Sequence, residues 1–195
     1  MFTNPLYLIK GVFGRTFYII PQRPERIQIE ITNRCNYTCG MCPRESFNLP
    51  EKDISLDLFK KIIDRLAPFS EKGIETPYNV TLTGWGEPLL HPALMDMIVY
   101  TKDKGHNVGV TTNGLLLAPC IDKFIGKALD KLTISLDSVE EGSEVVECHP
   151  SNKVVQKNIE SLIRYRGDKK KPMITIQITM HGKKQCLETV KYAGE

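Results

Sequence analysis

Three cysteines in one short stretch have the spacing of a metal-binding loop. Cys35, Cys39 and Cys42 lie within eight positions, and Gly40 between them lets the backbone turn tightly. Three thiolates can bind three irons of a 4Fe–4S cluster and leave the fourth iron without a protein ligand. An open metal position is where substrate chemistry occurs. The spacing therefore predicts a cluster with one open iron on this loop.

Two other kinds of site also use closely spaced cysteines. A structural zinc site requires four ligands, and the four histidines of the chain are scattered rather than placed at finger spacing. A redox pair formed by Cys39 and Cys42 would leave Cys35 without a role. A third interpretation is that the three cysteines are ordinary buried thiols without a ligand. It is a poor one, because a polar loop is not part of a core. The cluster is favoured, and a zinc or dithiol redox module stays open as the alternative.

Strands and helices alternate along the sequence. Apolar and β-branched runs predict strands at 26–31, 79–83, 107–111, 132–136 and 173–179. Helical spacing predicts helices at 56–66, 93–104, 119–129, 154–166 and 184–192, with Ser55 capping the first and Gly105 ending the second. The alternation indicates an α/β fold with a parallel sheet, either doubly wound or an arc of a (β/α) barrel. A closed eight-unit barrel takes about 250 residues, more than this chain has.

The residues that could do chemistry follow the predicted strands. The cysteines follow the first strand, Gly84–Pro88 the second, Thr111–Gly114 the third, and Asp137 the fourth. Functional groups of parallel α/β folds lie at the carboxyl ends of the strands. We therefore expect these segments to share one rim.

Composition narrows the class of protein. The chain has 195 residues, 41% hydrophobic and 25% charged, with a net charge of +3, as expected for one globular domain. Lys169–Lys171 is the one tight basic cluster and fits a solvated turn better than a nucleic-acid site. The apolar stretch 6–20 contains charges and glycines, so an amphipathic helix packed on the domain is expected there rather than a membrane span. Six cysteines without a secretory signal predict a reducing, cytoplasmic location.

Four motifs in order resemble the radical SAM superfamily. C-x-x-x-C-x-x-C follows the first strand, T-G-W-G-E-P begins at Thr83, T-T-N-G begins at Thr111, and I-S-L-D begins at Ile134. The G-W-G-E-P form is similar to that of members that carry C-terminal auxiliary-cluster domains of the SPASM type. The resemblance covers roughly residues 26 to 179.

The resemblance implies a fold and an activity. It implies a partial (β/α) TIM-like barrel with about five of the usual six β/α units, so residues 26–195 would be a core incomplete at its C-terminus, with 1–25 packed on it. Its cofactors would be a 4Fe–4S cluster and S-adenosylmethionine. The cluster would cleave S-adenosylmethionine reductively, and the resulting 5′-deoxyadenosyl radical would abstract hydrogen from a peptide or small molecule. An external donor such as flavodoxin or ferredoxin would supply the electron, and no nucleic acid would be involved. The alternative is a truncated or degenerate domain that binds the cofactors without turnover.

The resemblance also implies roles for single residues. Cys35, Cys39 and Cys42 would be the cluster ligands. The segment after the second strand would contact the methionyl amino group, through Gly84, Gly86, Glu87 and Pro88. Met41 would pack near the adenine. The residues expected to reach the ribose or the substrate are Asn113, Ser135 and Asp137, with Gln177 a weaker candidate.

Some residues depart from the family pattern. Cys148-His-Pro150 stands where many relatives carry an Arg-Gly pair. Cys120, Cys148 and Cys186 are too widely spaced for an auxiliary cluster, and we expect ordinary thiols there.

Overall fold

Strand order settles the architecture of the central sheet. The computed structural model describes residues 8–10, 16–18, 24, 26–66, 69–71, 74–126, 129–136, 152–179, 187, 190 and 192. Its sheet consists of the parallel strands β3 (Arg26–Ile29), β6 (Asn79–Leu82), β7 (Asn107–Thr112), β8 (Lys131–Ser135) and β9 (Met173–Gln177), in that spatial order. A doubly wound sheet reverses its order at a switch point. This sheet runs in one direction throughout, so the fold is an arc of a (β/α) barrel, as predicted.

Helices lie between successive strands in the sequence. They are α1 (Leu56–Asp64), α2 (Leu94–Asp103), α3 (Ile121–Gly126) and α4 (Asn152–Arg166). The Oγ of Ser55 accepts a hydrogen bond from the Leu58 N–H at 3.2 Å, which confirms the predicted cap. Gly105 has φ +79°, a conformation that favours glycine after a helix. The buried apolar faces of the four helices and the sheet form one core cluster.

One row of apolar residues crosses the sheet in register. Ile29 lies beside Leu82, then come Val110, Leu132 and Ile174 on successive strands. The first four are buried. Because this row aligns the strands, their carboxyl ends emerge at one edge of the sheet. The edge is where the predicted chemical residues lie.

Two short hairpins differ from the sequence expectations. Within stretch 6–20 we expected an amphipathic helix, and this was wrong: β1 (Leu8–Lys10) and β2 (Thr16–Tyr18) pair antiparallel. A second hairpin, β4 (Phe69–Glu71) with β5 (Ile74–Thr76), was not predicted. The helix predicted at 184–192 is described only at Leu187, Val190 and Tyr192, each of which is helical. Among the described residues, no helix has the length and apolarity needed to cross a bilayer.

Candidate metal and cofactor site

The carboxyl ends of the strands surround a cavity of about 280 Å³. Nine of the site residues predicted from the sequence line it: Cys35, Cys39, Met41, Cys42, Gly84, Gly86, Glu87, Asn113 and Ser135. Pro88 is buried at the start of the short 3-10 helix Pro88–Leu90 and does not line the cavity. Asp137 lies outside the described residues. The structure therefore brings segments from four strands to one place.

The stem of the cysteine loop is held from both sides. On one side the Ile54 N–H donates to the Ile31 carbonyl at 2.8 Å, and the Asn33 N–H donates to the Lys52 carbonyl at 3.2 Å. On the other side the Glu87 N–H donates to the Arg34 carbonyl at 2.7 Å. The loop thus leaves the sheet between two fixed pieces of backbone.

The Arg34 side chain reinforces this stem. Its Nε and one terminal nitrogen donate to the two carboxylate oxygens of Asp53, at 3.0 and 2.7 Å. The same terminal nitrogen donates to the Leu90 carbonyl at 3.0 Å. A bidentate pair of this kind fixes geometry as well as adding energy. Arg34 therefore ties together the cysteine stem, the segment before α1 and the segment after β6.

The three thiols are half-buried and face the cavity. The Cys42 N–H donates to the Cys39 carbonyl at 2.9 Å, which closes a tight turn. Burial raises the pKa of the Cys35 thiol; a backbone N–H at Tyr37 and the Arg44 guanidinium act in the opposite direction. Arg44 also donates to the Tyr37 carbonyl at 3.3 Å, so a cation braces the loop.

A cluster and a single metal ion place different demands on three thiols. No three His, Cys, Asp or Glu side chains among the described residues converge closely enough to hold one metal ion. A zinc ion needs its ligands around one point, whereas each thiolate of a 4Fe–4S site binds a different iron. Three half-buried thiols that line one cavity fit a cluster held by three separate thiolates.

Gly86 is required by the packing of two loops. A β-carbon at this position would overlap the Thr32 carbonyl oxygen and come within 2.8 Å of the Arg34 carbonyl oxygen. Both obstacles are backbone, which cannot rotate away as a side chain can. At Gly84 the neighbour is instead the Glu30 side chain, whose carboxylate accepts from the Trp85 N–H at 2.6 Å. The glycine at 86 thus lets the loop after β6 lie against the cysteine stem.

Glu87 is a buried carboxylate that binds neighbouring loops. One oxygen accepts from the Thr112 hydroxyl at 2.7 Å and the Leu89 N–H at 3.0 Å, and the other accepts from the Asn113 N–H at 2.8 Å. Burial raises its pKa, and the three hydrogen bonds oppose that shift. Both oxygens are used within the protein, so this side chain joins the loop after β6 to the end of β7.

Asn113 extends this connection to the cysteine loop. Its side-chain nitrogen lies 2.8 Å from Oδ1 of Asn36 and 4.0 Å from Sγ of Cys35. Its side-chain oxygen accepts from the Leu115 N–H at 3.1 Å. The segment after β7 therefore contacts a predicted cluster ligand directly.

Several cavity residues received no individual role from the sequence, although three of the threonines lie within the motifs. They include the threonines at strand ends and two residues on the cysteine loop: Thr83, Thr111, Thr112, Thr179, Tyr37 and Arg44. Trp85 also lines the cavity; it is 50% exposed and packs edge-on against Phe47 at 5.7 Å between ring centroids.

Among the described residues, Cys120 and one buried histidine lie apart from the thiols of the cavity. Cys120 is half-buried beside the core and does not line the cavity, as expected of an ordinary thiol. Cys148 and Cys186 lie outside the described residues. His91 is buried, its Nε2 lies 3.0 Å from the Ile54 carbonyl, and its Nδ1 accepts from the Ala93 N–H. It serves to fasten the loop after β6.

Comparison with known proteins gives a family and a set of relatives. The profile described as "Radical SAM superfamily" matches residues 29–191. A tungsten-containing aldehyde ferredoxin oxidoreductase cofactor-modifying protein of Pyrococcus furiosus is 33% identical over 172 residues, 85% of this chain and 47% of the relative. A probable GTP 3′,8-cyclase of Sulfolobus acidocaldarius is 35% identical over 133 residues, 68% of this chain and 38% of the relative. The chain thus spans less than half the length of these relatives.

A solved structure shares the fold at low sequence identity. Streptococcus suis SuiB bound to S-adenosylmethionine aligns with a TM-score of 0.66 and 14% identity, covering 87% of this chain and 38% of that one. SuiB bound to its precursor peptide SuiA aligns with a TM-score of 0.64 and 14% identity, covering 87% and 36%.

Proposed function

The chain belongs to the radical SAM superfamily, and we propose that it holds a 4Fe–4S cluster on Cys35, Cys39 and Cys42. Membership implies the cluster and S-adenosylmethionine as cofactors. When bound, the pair supplies reductive cleavage of the sulfonium and a 5′-deoxyadenosyl radical for hydrogen abstraction. The protein itself binds and orients the cofactors and shields them from water.

One observation carries the proposal. One cavity is lined by the three thiols, by the glycine-rich loop after β6 and by the turn at Asn113. These segments are far apart in the sequence. A core made only for stability has no need to direct three half-buried thiols into a shared cavity. Three ligands leave one iron of the cube open, which is the position that a chelating cofactor requires.

The loop after β6 is proposed to bind the methionyl part of S-adenosylmethionine. Gly84 and Gly86 line the cavity without side chains, so that their backbone carbonyls could approach an ammonium group, and Pro88 fixes the exit of the loop. The carboxylate of Glu87 already accepts three protein hydrogen bonds. Its proposed part is therefore to hold this edge in place and to supply negative charge behind it.

The adenosine part is proposed to lie across the remaining rim. Met41, which is 40% exposed on the cavity side of the cysteine loop, offers a polarizable thioether for the adenine. Ser135, Asn113 and Asp137 are proposed to contact the ribose or the substrate. Ser135 and Asn113 line the cavity in support of this.

Substrate and electron donor are proposals at the level of chemical class. We propose a peptide or small molecule as the substrate and a flavodoxin or ferredoxin as the donor, in a cytoplasmic setting. The relatives support no narrower choice, since one modifies a cofactor by name, another is a GTP cyclase, and SuiB binds a peptide.

Anaerobic reconstitution tests the proposal. The chain should bind about three to four irons, with sulfide, and show a broad visible absorption that bleaches on reduction. Added S-adenosylmethionine and dithionite should then give 5′-deoxyadenosine, measured by chromatography. Cys39→Ala should lose the cluster and the nucleoside together.

Cys120→Ala is the matched control, because Cys120 is also half-buried but does not line the cavity. It should retain wild-type iron and nucleoside formation. Iron without nucleoside would point to the degenerate domain without turnover. Stoichiometric zinc, or equal iron loss in both variants, would reject the site.

A further inference from the structure

Asn113 touches the proposed cluster loop from a different part of the chain. Its side-chain nitrogen lies 4.0 Å from Sγ of Cys35 and 2.8 Å from Oδ1 of Asn36, which precede it by 78 and 77 residues. The side chain is part-buried at the cavity wall. It therefore reaches one predicted ligand and the residue that follows that ligand.

The orientation of the amide is fixed by a second contact. The two ends of an asparagine amide look alike in shape, and their hydrogen-bond partners decide which is which. Here the Leu115 N–H, a donor, lies 3.1 Å from the side-chain oxygen. A donor must face the oxygen, so the NH₂ group faces Cys35 and Asn36.

The backbone that carries Asn113 is also fixed. Its N–H donates to the buried carboxylate of Glu87 at 2.8 Å. From below, the side-chain nitrogen of the buried Asn158 donates to the carbonyls of Gly114 and Leu115, at 2.9 and 3.2 Å. The turn that carries the amide is therefore held in place by two buried side chains.

We infer that Asn113 is a positioning residue whose NH₂ group donates to the Cys35 thiolate and raises the reduction potential of the cluster. This inference rests on the proposed cluster. Hydrogen bonds to ligating sulfur are one of the levers that set the potential of an iron–sulfur centre. They stabilise negative charge on sulfur, and that charge is larger in the reduced state, so a donor makes reduction easier.

A reductive titration of the reconstituted, S-adenosylmethionine-free chain, followed by electron paramagnetic resonance, tests the inference. Asn113→Asp keeps an oxygen for the Leu115 N–H but replaces the donor with a charged acceptor. Asn113→Ala removes the donor without adding charge. The potential should fall in Asn113→Ala and fall further in Asn113→Asp.

Asn158→Ala is the control, since it loosens the same turn but keeps the NH₂ group of Asn113; its potential should fall by less than that of Asn113→Ala. Equal potentials in wild type and both Asn113 variants, or a fall in Asn158→Ala matching that in Asn113→Ala, would overturn the inference. If Asn113→Asp takes up no cluster, the comparison of the two alanine variants decides. Failure of the wild type to take up a cluster would instead overturn the proposed function, so the two failures are distinct.

Discussion

The two ends of the central sheet treat a carboxylate in opposite ways. At the carboxyl end, Glu87 is 2% exposed and accepts hydrogen bonds from three uncharged donors, and burial raises its pKa. At the amino end, Asp130 lies 2.7 Å from the Lys102 ammonium and 2.5 Å from that of Lys171. Burial acts to raise the pKa of Asp130 as well, but the two lysines and the Val108 N–H hold it below its ordinary value.

The contrast shows which end is arranged for stability. An acid paired with two cations stabilises the fold by being charged. An acid buried without a cation carries a desolvation cost at neutral pH, and among the described residues no ion pair includes Glu87. Groups with perturbed pKa values gather at functional sites. At the carboxyl end, the desolvation cost of Glu87 therefore exceeds what its hydrogen bonds offset, whereas at the amino end the partners of Asp130 outweigh its desolvation cost.

The largest test of this contrast compares glycines at the two ends. Gly86→Ala should lower the free energy of unfolding by about 3 kcal/mol, because its β-carbon would overlap the backbone at Thr32. Gly109→Ala, in β7 near the amino end, meets nothing closer than 3.4 Å and should change stability by less than about 1 kcal/mol. Urea unfolding of the apoprotein measures both, and equal losses would contradict the difference between the ends.

A smaller effect is expected when the Glu87 charge is removed. Glu87→Gln would turn an NH₂ group toward the Asn113 N–H and leave buried donors unsatisfied, at about 2 kcal/mol. The raised folded pKa means that wild-type stability declines as pH rises from about 4.3, the ordinary value for glutamate, through the folded value. The loss caused by Glu87→Gln should therefore be larger at pH 4 than at pH 8. A loss that grows with pH would show that burial does not dominate.

The smallest effect is expected at Asp130. Asp130→Asn should cost about 1 kcal/mol at pH 7, since the Lys171 partner is 66% exposed and screened by solvent. The lowered folded pKa places this contribution above about pH 3.9, with its loss as pH falls through the folded value. The stability difference between wild type and variant should thus shrink in acid and in high salt. Growth of the difference in acid would reverse our assignment of the two ends.

The strands and helices of the core could be predicted because each is long enough to show a period. The strands of the sheet begin where the alternation of apolar residues begins, and Ser55 and Gly105 mark helix ends by their local chemistry alone. The shared rim also followed from sequence, because parallel strands carry their loops to one edge. Neither inference required knowledge of any contact.

The hairpins could not be predicted, because their strands are too short to show a period. A strand of three residues, such as Leu8–Lys10, spans too few positions to separate a period of two from one of 3.6. What makes it a strand is its partner Thr16–Tyr18, and pairing is not written in the local pattern. The apolar character of 6–20 was identified, and its secondary structure was not.

Contacts between residues of the site could not be predicted from the sequence either. The motif predicted that Glu87 and Asn113 both belong to the site, but not that one binds the other. That bond depends on the register of β6 against β7, where Leu82 lies beside Val110. The need for glycine at 86 likewise comes from Thr32, which is distant in the sequence. Spacing identifies such residues, and only the fold explains them.

The hydrogen bonds of Arg34 have a consequence for the protein if the proposed cluster is destroyed by oxygen. Small zinc domains lose their fold with their metal, because the metal ligands are their main cross-links. Here Asp53 and the Leu90 carbonyl hold the root of the cysteine loop through protein bonds alone. We expect the chain to stay folded when the proposed cluster is lost, and to bind a new cluster without refolding.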